Sequence, residues 1–463
     1  MVRLFNVYFP ERTLLLAASE AMLVVAALLG VAFLSRNGDF TLALNFQHGY
    51  LQVASASLAI MLSMYYYDLY DSDVLASLRG VWMRLVQVVG TACVILALFY
   101  YAFPAARMSR RMFLSSLVVV PLLLLTWRKL FLFVNRSPRF AQRAVLVGGG
   151  PLVRSLASEI KKRPEWGIEV FGYVEPLPSA PPMMNGVPRV GDFSDLPQLV
   201  DRDRISRVIL DPGAPLVPAF ADFMSTLRKR RVLVQNGTDL YEAVAGRVPV
   251  ESLPPGSLAA DSVSPAPRAM LIYKRIASIV LAGAALLLGL PFLVLIAVAI
   301  RLDSPGPVIF RQKRMGQNGQ IFILYKFRSM RQGADPDGLP RPAQAGDARV
   351  TRIGRWLRST RFDELPQLYN ILIGDMAFVG PRPFVPREEE ECLRSIPFYE
   401  QRLKIKPGAT GWAQIHQGYC ASLEDNVEKL GYDLFYIKNL SVGLDILTVV
   451  QTVKIMLLGR GAR

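Results

Sequence analysis

Residues 276–300 read IASIVLAGAALLLGLPFLVLIAVAI, an unbroken apolar run about 37 Å long as a straight helix. That is enough to cross a ~30 Å hydrocarbon core, but the flanks argue against crossing. Lys274 and Arg275 precede the run, and Arg301, Arg311, Lys313 and Arg314 follow it. The bias that keeps basic residues in the cytosol therefore draws both ends to one side. Pro291 lies in the middle, where it removes a backbone donor and disfavours a straight helix by ~3 kcal/mol in an ordinary interior. Two readings stay open on these residues: a bent helix that dips into the bilayer and returns, and a proline-kinked span, which membrane helices tolerate.

Upstream, four more apolar stretches occupy approximately 13–34, 50–67, 81–103 and 111–134, each long enough to cross most of the same layer. The whole chain of 463 residues is 52% hydrophobic and 19% charged, with positive mean hydropathy, which excludes a disordered chain and a wholly soluble one. The first stretch is not a cleavable signal, because further spans follow and no small-residue cleavage site stands out. Arg3 and Arg12 before the set, and Arg128, Lys129, Arg136, Arg139 and Arg143 after it, put both ends in the cytoplasm. Arg107, Arg110 and Arg111 disagree, since their loop then falls outside. Glu20 inside the first stretch reads either as a functional carboxylate or as a helix-packing contact. The net charge of +16 suits an anionic partner, whether a lipid surface, a phosphorylated substrate or nucleic acid, and charge alone does not choose among them. Cys93, Cys392 and Cys420 form no CxxC pair, and the only histidines are His48 and His416. Neither a disulfide framework, a zinc site nor histidine chemistry is expected.

From Ala144 the pattern changes. AVLV runs into Gly148, Gly149 and Gly150 and then into the helical stretch LVRSLASEIKK, a βα start. Strand candidates at 171–174, 207–210 and 232–234 alternate with helical segments such as AFADFMSTLRKR, 219–230, predicting a Rossmann-like α/β domain to about residue 250. Val153 stands where a dinucleotide fingerprint wants its third glycine. The glycines thus read as a tight turn in a docking or dimerising domain, not as an active dinucleotide site. SLPPGSLAADSVSPAPRA, 252–269, reads as a linker.

Downstream of the apolar run, residues 301–330 predict a turn and two short strands ending in cations: Arg311, Lys313 and Arg314, then Lys326 and Arg328. The first three read as headgroup contacts; Lys326 and Arg328 stay open. In RIGRWLRSTRFDELPQLYNILIGDMAFVGPRP, 352–383, Leu365, Leu368, Tyr369 and Leu372 recur at helical spacing, and Asp363, Gln367 and Asn370 share the polar stripe. Pro366 fits only a first turn, which puts Asp363 and Glu364 at the helix start, with Arg358 and Arg361 just before them. Adjacent carboxylates among arginines are commonly capping and surface pairing. The chemical alternative is a carboxylate nucleophile toward phosphorus, a neighbour that binds a divalent cation, and arginines that neutralise phosphoryl oxygens. Arg382 in GPRP sits on a proline-stiffened loop suited to holding one guanidinium.

KRIASIVLAGAALLLGLPFL, SPGPVIFRQKRMG, YKFRSM, RSTRFDELPQLYNILIGDMAFVGPRP and KPGATGWAQI, all within 270–463, together resemble the bacterial sugar transferase family, the monotopic polyprenyl-phosphate glycosyl-1-phosphate transferases. The earlier parts are similar to its long-form members by architecture. The resemblance implies a multi-domain membrane protein: a four-helix transmembrane bundle (1–135), a Rossmann-like α/β domain (136–251), a linker (252–269), and a monotopic catalytic α+β domain with a re-entrant membrane helix (270–463) broken at Leu290 and Pro291. It implies that Asp363 attacks the β-phosphorus of a nucleoside diphosphate sugar, releases the nucleoside monophosphate and holds the phosphosugar until polyprenyl (undecaprenyl) phosphate accepts it. Glu364 matches the dyad partner, with Mg²⁺ bound at Asp363 and Glu364. Arg358 and Arg382 match phosphate contacts, Pro381 and Pro383 the motif near the nucleotide, and Lys326 and Arg328 are taken as candidates for the same substrate.

The expected setting is the bacterial inner membrane, with the catalytic domain on the cytoplasmic face and a UDP-hexose as donor, glucose or galactose before N-acetylated sugars. The expected role is initiation of exopolysaccharide or surface-glycan synthesis. A homodimer through the middle domain is expected, and nucleic acid is not. Ser278 stands where the family commonly has Asp, and His416 where it commonly has Asn. His416 reads as a polar loop residue. VGLDILTVVQTVKIMLLG, 442–459, with isolated Asp445 and Lys454, reads as an interfacial helix. Two other classes remain. A nucleotide-sugar dehydratase needs the missing glycine pattern and a Tyr-x-x-x-Lys base, and a non-catalytic scaffold leaves Asp363 and Glu364 free to change.

Overall fold

The computed structural model describes residues 1–36, 39–45, 48–71, 78–135, 141–175, 181–213, 227, 230, 232–253, 267–333, 347–418 and 422–458. Internal contacts divide the chain into two units. One comprises Met1–Val2, Phe9–Gly149 and Val153–Gly237; the other comprises Arg3–Tyr8, Gly150–Leu152 and Thr238–Arg463.

In the first unit the four expected apolar stretches form helices α1 (Glu11–Ser35), α2 (Gly49–Tyr66), α3 (Leu78–Ala102) and α4 (Arg110–Asn135). Val24, Leu28, Val53, Leu85, Val88 and Leu124 interlock in their shared core, while Leu34, Leu98, Leu122 and Phe133 stay exposed. A bundle that turns large apolar side chains outward is built for a hydrocarbon solvent. Among the described residues four helices are long and apolar enough to cross a membrane: Glu11–Ser35, Arg79–Ala102, Arg110–Val134 and Arg268–Asp303. The second expected span, α2, is not one of them. It is short, and it carries buried polar residues: Gln52 donates to the Arg107 carbonyl and Ser63 to that of Ala59.

Of the two readings of Glu20, the structure supports the helix-packing contact, and its partner is Arg128, expected as a flanking cytosolic cation. The structure joins them. Arg128 Nη2 meets Glu20 Oε2 at 2.8 Å, its Nε bonds the other oxygen, and Nη1 donates to the Leu69 carbonyl, all of it buried. Arg136 and Arg139 lie outside the described residues.

The α/β domain starts with β1 (Gln142–Val147) and α5 (Pro151–Lys162), followed by β2 (Ile168–Val174), β3 (Met183–Met184), β4 (Val187–Gly191), α6 (Leu196–Asp203), β5 (Arg207–Leu210) and β6 (Leu233–Asn236). The sheet runs β3-β4-β2-β1-β5-β6, parallel throughout except for β3 on β4. β4 was not anticipated, because its VPRVG carries a proline and little alternation. Most of the expected helix at 219–230 lies outside the described residues. At the glycine turn, a Cβ on Gly149 would come within 2.1 Å of Glu175 Oε2. The missing side chain thus makes room for a carboxylate, whose charge opposes a pyrophosphate.

The second unit begins earlier than the expected boundary at 251. Beyond Gly237, the segment to Ser252 packs on catalytic elements rather than on the sheet. Lys438 Nζ pairs with Glu242 at 2.9 Å, Trp412 Nε1 donates to the Gly246 carbonyl at 2.8 Å, and Val248 N donates to the Gly431 carbonyl at 2.9 Å. The N-terminal residues join it too. Arg3 Nη2 reaches Asn439 Oδ1 at 3.2 Å, and Ser441 Oγ donates to the Phe5 carbonyl at 3.1 Å. Residues 254–266 of the expected linker lie outside the described residues.

Helix α7 (Arg268–Asp303) is 36 residues long and continues through Leu290 and Pro291. Strands β7 (Ile309–Met315) and β8 (Ile321–Phe327) form the expected hairpin, with Asn318 and Gly319 at φ 55° and 76° in its turn, the left-handed region that these two residue types tolerate best. Helices α8 (Arg352–Thr360) and α9 (Gln367–Ile373) lead to β9 (Ala377–Val379), which pairs in parallel with β10 (Gly408–Thr410). Helix α10 (Pro386–Ser395) lies between these strands in sequence, and α11 (Leu423–Lys438) and α12 (Val442–Leu457) close the chain.

The buried bundle pair yields a prediction. Arg128→Met leaves the Glu20 carboxylate buried and unpaired and is expected to cost about 3–5 kcal/mol, whereas the double change Glu20→Leu with Arg128→Met costs less than Arg128→Met alone. Unfolding of the purified variants in detergent measures both; equal losses would contradict the pairing.

Candidate active site

Asp363 and Glu364 lie in a 3-10 turn, Phe362–Glu364, set between α8 and α9. This differs from the expected first helical turn: α9 starts only at Gln367, after Pro366. Arg361 ends α8 at φ 58°, in the left-handed region, at a cost of about 1 kcal/mol or more for a residue with a Cβ. That reversal separates the turn from the helix before it. Asn370, fully buried, fixes α9 to the hairpin: its Nδ2 donates to the Ile323 carbonyl at 2.7 Å, and its Oδ1 accepts from Tyr325 N at 3.0 Å. Asn370 therefore belongs to the scaffold, although it shares a helical stripe with Asp363.

Because α9 is tied to β8, the end of β8 faces the dyad. Lys326 Nζ donates to Glu364 Oε1 at 2.9 Å, and Arg382 Nη2 reaches the same oxygen at 3.0 Å from the loop after β9. Burial alone would raise the Glu364 pKa, but Lys326 and then Arg382 outweigh it by charge and hydrogen bonding and hold the carboxyl well below its ordinary range. Arg382 is correspondingly raised, chiefly by Glu364. Asp363 goes the other way: burial raises its pKa, only partly offset by the charges of Lys326, Arg358 and Arg382. Its carboxylate accepts no hydrogen bond from the described residues. The two neighbouring carboxylates thus have different jobs, one clasped and one available.

The GPRP loop is held along its whole backbone. Tyr436 Oη donates to the Val379 carbonyl at 3.1 Å, Gly408 N to that of Pro381 at 2.9 Å and Arg402 Nη2 to that of Arg382 at 2.7 Å. Arg314 Nη1 then donates to the Pro383 carbonyl at 3.1 Å and Met315 N to that of Phe384 at 3.0 Å. Arg402 is itself buried, with Nη1 on Glu389 at 2.6 Å and Nε on Asp433 at 3.0 Å. Lys274 extends the support, pairing with Asp445 at 3.0 Å and donating to the Val379 carbonyl at 3.2 Å.

Several sequence readings change here. Arg314 is a loop brace, not a headgroup contact; burial and then the like charge of Arg382 lower its pKa to about 10. Strand alternation accounts for the difference, since Arg311 and Lys313 on the other face are exposed. Arg328, proposed as a phosphate contact, is buried and turned to the end of α7, where Nη2 donates to the Ser304 carbonyl at 2.6 Å. Asp445 is not isolated, and Ser278 is buried where α7 meets the domain. His416 ends a short helix, Trp412–His416, and stacks on Tyr432 at 5.1 Å. Arg402, Glu389 and Asp433 were missed; a buried ion cluster assembled from three separate elements leaves no local spacing in a sequence. Cys420 lies outside the described residues.

Among the described residues no group of three or more His, Cys, Asp or Glu gathers to hold a metal. The donors present are the Asp363 oxygens and Glu364 Oε2, since the Lys326 and Arg382 bonds both fall on Oε1. Two carboxylates with substrate oxygens and water fit Mg²⁺, which seldom uses an all-protein cage.

The opposed shifts make a stability prediction. Glu364, depressed in the fold, contributes stability that is present above its unfolded pKa of ~4.3 and is lost as pH falls through the lower folded value. Asp363, raised in the fold, opposes folding above that raised value. At neutral pH Glu364→Gln should therefore lower the melting temperature, by about 1–3 kcal/mol of stability, while Asp363→Asn raises it. Thermal melts of the two variants check the signs; a lower melting temperature for Asp363→Asn would contradict the assignment.

Comparison with known proteins agrees with this architecture. Residues 269–459 match the bacterial sugar transferase family, and residues 66–210 match a CoA-binding domain family. The chain is 41% identical over 241 residues to an Aeromonas hydrophila UDP-N-acetylgalactosamine-undecaprenyl-phosphate N-acetylgalactosaminephosphotransferase, covering 52% of this chain and 56% of that one. It is 32% identical over 323 residues to a Xanthomonas campestris UDP-glucose:undecaprenyl-phosphate glucose-1-phosphate transferase, covering 67% and 66%. It is 33% identical over 323 residues to a Klebsiella pneumoniae protein of the same name, covering 69% of each. This chain thus spans less than two thirds of the length of the first two relatives. Four apolar helices, a Rossmann-like domain and a C-terminal domain carrying the matched motifs accompany that similarity, and the chain belongs to the bacterial sugar transferase family.

Proposed function

We propose that the protein transfers a sugar-1-phosphate from a UDP-hexose to undecaprenyl phosphate and releases UMP. The observation that carries this reading is an Asp363 carboxylate that accepts no hydrogen bond among the described residues, beside a Glu364 already clasped by two cations. An Asp363 oxygen attacks the β-phosphorus, the bond from that phosphorus to the bridging oxygen breaks, and UMP leaves with the electron pair. An oxygen of the lipid phosphate then attacks the same phosphorus and frees the Asp363 carboxylate. Lys326, Arg358 and Arg382 supply fixed positive charge where phosphoryl charge develops, and the clamped loop means that little rearrangement is needed to present it. Asp363 and Glu364 would hold Mg²⁺, which would supply further charge neutralisation to the diphosphate. The product, a sugar on a lipid diphosphate, is the starting unit for exopolysaccharide or surface-glycan assembly by later glycosyl transfer.

The packing of α7 supports a re-entrant membrane setting. Near its start Ala282 packs with Leu324, Ile371 and Met376, and Arg275 donates to the Ile371 and Leu372 carbonyls. Near its end Ile296 and Ile300 pack with Phe327 and Leu357. Leu287, Leu288 and Leu295 between them are exposed. The same polar domain therefore touches α7 at positions 278 and 300, about 33 Å apart along a straight helix. A transverse span would drag that domain through the hydrocarbon. A re-entrant helix bent near Leu290 and Pro291, entering and leaving through one leaflet, avoids this cost. The N-terminal residues Arg3–Tyr8 belong to the same unit as the catalytic residues, which supports a cytoplasmic dyad, on the side where nucleotide sugars occur.

Asp363→Asn is expected to abolish transfer, with a loss of at least ~10³-fold, and EDTA is expected to do the same reversibly. Incubation with UDP-sugar in the absence of acceptor should add one hexose phosphate to the peptide containing Asp363. A transfer reaction that proceeds with no such adduct and survives Asp363→Asn would overturn the mechanism. The relatives' names carry both glucose and N-acetylgalactosamine, so a radiolabelled panel begins with those two donors. For the helix, cysteines placed at Leu271 and Leu302 in a Cys-free background should both react with an impermeant maleimide from the cytoplasmic face of inside-out vesicles. Labelling from opposite faces would make α7 a span.

A further inference from the structure

Phe362, the residue before Asp363, has its ring in two edge-on contacts. Phe292 of α7 meets it at 5.3 Å and 85°, and Trp356 of α8 at 5.4 Å and 73°. Phe292 follows Pro291 in the exposed middle of α7. Phe292 is 41% exposed and Trp356 45%. The inner face of α8 is Gly354 and Leu357, and Gly354 lies so close to the Ser329 backbone that the helix cannot roll to bury the indole. An aromatic edge thus runs from the apolar part of the membrane helix to the residue beside the nucleophile. Cations border it: Arg352 and Arg355 on α8 are exposed, and the charge of Arg358 acts on Asp363.

A nucleotide sugar offers aromatic rings only its planar base, and this edge starts at Phe292 on the apolar, exposed middle of α7, where a water-soluble polyanion has no reason to lie. A lipid phosphate does, because it joins an anionic head to a hydrocarbon chain. Its phosphate oxygen must reach the phosphorus carried by Asp363, so its first isoprene units must pass beside the neighbouring side chains. Rings of this kind present large rigid apolar faces to such a chain.

We infer that Phe292, Phe362 and Trp356 form the surface that receives the proximal isoprenoid units of the acceptor lipid, with the α8 arginines beside its phosphate. The inference rests on the transfer reaction proposed above. It makes Trp356 a determinant of acceptor affinity and chain-length preference.

The test uses the full-length protein in nanodiscs and compares undecaprenyl phosphate with geranyl phosphate, a two-unit acceptor. Wild type should show a lower KM for the long acceptor. Trp356→Ala should raise the KM for undecaprenyl phosphate at least about fivefold, with the KM for UDP-sugar unchanged, and should narrow the ratio between the two acceptors; Trp356→Phe should restore most of the preference. Ile373→Ala, which removes an equally exposed apolar side chain outside these ring contacts, controls for bilayer contact in general and should leave the ratio at its wild-type value. The same shift in Ile373→Ala, an equal change for both UDP-sugar and acceptor in Trp356→Ala, or no change in either, would overturn the inference. Exchange of labelled UMP into UDP-sugar by wild type, which needs no acceptor, reports on the underlying reaction separately. Its presence with an unchanged Trp356→Ala preference defeats only the lipid surface, and its absence defeats the transfer mechanism itself.

Discussion

One carboxylate oxygen holds the site together. Glu364 Oε1 receives Lys326 from the hairpin and Arg382 from the loop after β9, two cations that would repel each other if nothing lay between them. The clasp assigns the two adjacent acids opposite electrostatic surroundings. Glu364 is kept ionised and occupied, while Asp363 is partly desolvated and unbonded. A nucleophile needs a lone pair that is not already spent on a hydrogen bond, and a sequence of two neighbouring carboxylates does not by itself say which will have one.

The clasp in turn needs Arg382 to arrive in one position. Two prolines flank it and remove backbone donors, so the loop cannot be held through its own N–H groups there. It is held through its carbonyls instead, between Val379 and Phe384, by donors that come from α11, the hairpin, the strand β10 and the 3-10 segment Tyr399–Lys404. Arg402 is the deepest of these. Its guanidinium lies between two carboxylates and also donates to a carbonyl and to the Tyr399 hydroxyl; the charge of Lys429 acts on the same two carboxylates, and removing Arg402 would leave both buried acids without their shared partner. Support of this kind costs little during a reaction, because the ordering was completed when the chain folded.

Much of this was legible in the sequence, for physical reasons that differ by element. The apolar spans and the hairpin follow from composition and alternation, which are local. Lys326 and Arg382 could be nominated because they lie in short polar motifs beside the dyad. Arg328 and Arg314 differ from expectation in the same direction: each reads as a contact to an external anion and instead braces a backbone carbonyl. Both are arginines near strand ends, and only the packed partner decides whether such a group meets a substrate, a helix terminus or a loop carbonyl. Glu20 and Arg128 illustrate the same limit: 108 residues apart, each looked unpaired until the bundle closed. The domain boundary near residue 238 was hidden because Glu242, Gly246 and Val248 find their partners nearly two hundred residues later.

The placement of the site along α7 makes depth a structural variable rather than an accident of anchoring. Arg275 and Lys274 bind the start of the helix to α9, to β9 and to Asp445 of α12. Helix α12, with 16 residues, is too short to cross a bilayer but turns Ile446, Val449, Val450 and Val453 outward. Its exposed apolar face and that of α7 are thereby linked through one buried ion pair to the carbonyl of Val379, three residues before Arg382. Seating these two faces at the lipid interface also sets the height of the GPRP loop, and with it the height of Asp363. In the proposed transfer a soluble phosphoryl donor and a membrane-bound phosphate meet only within a thin layer, and rigid coupling between these two helices and the loop that bears Arg382 would keep Asp363 inside it.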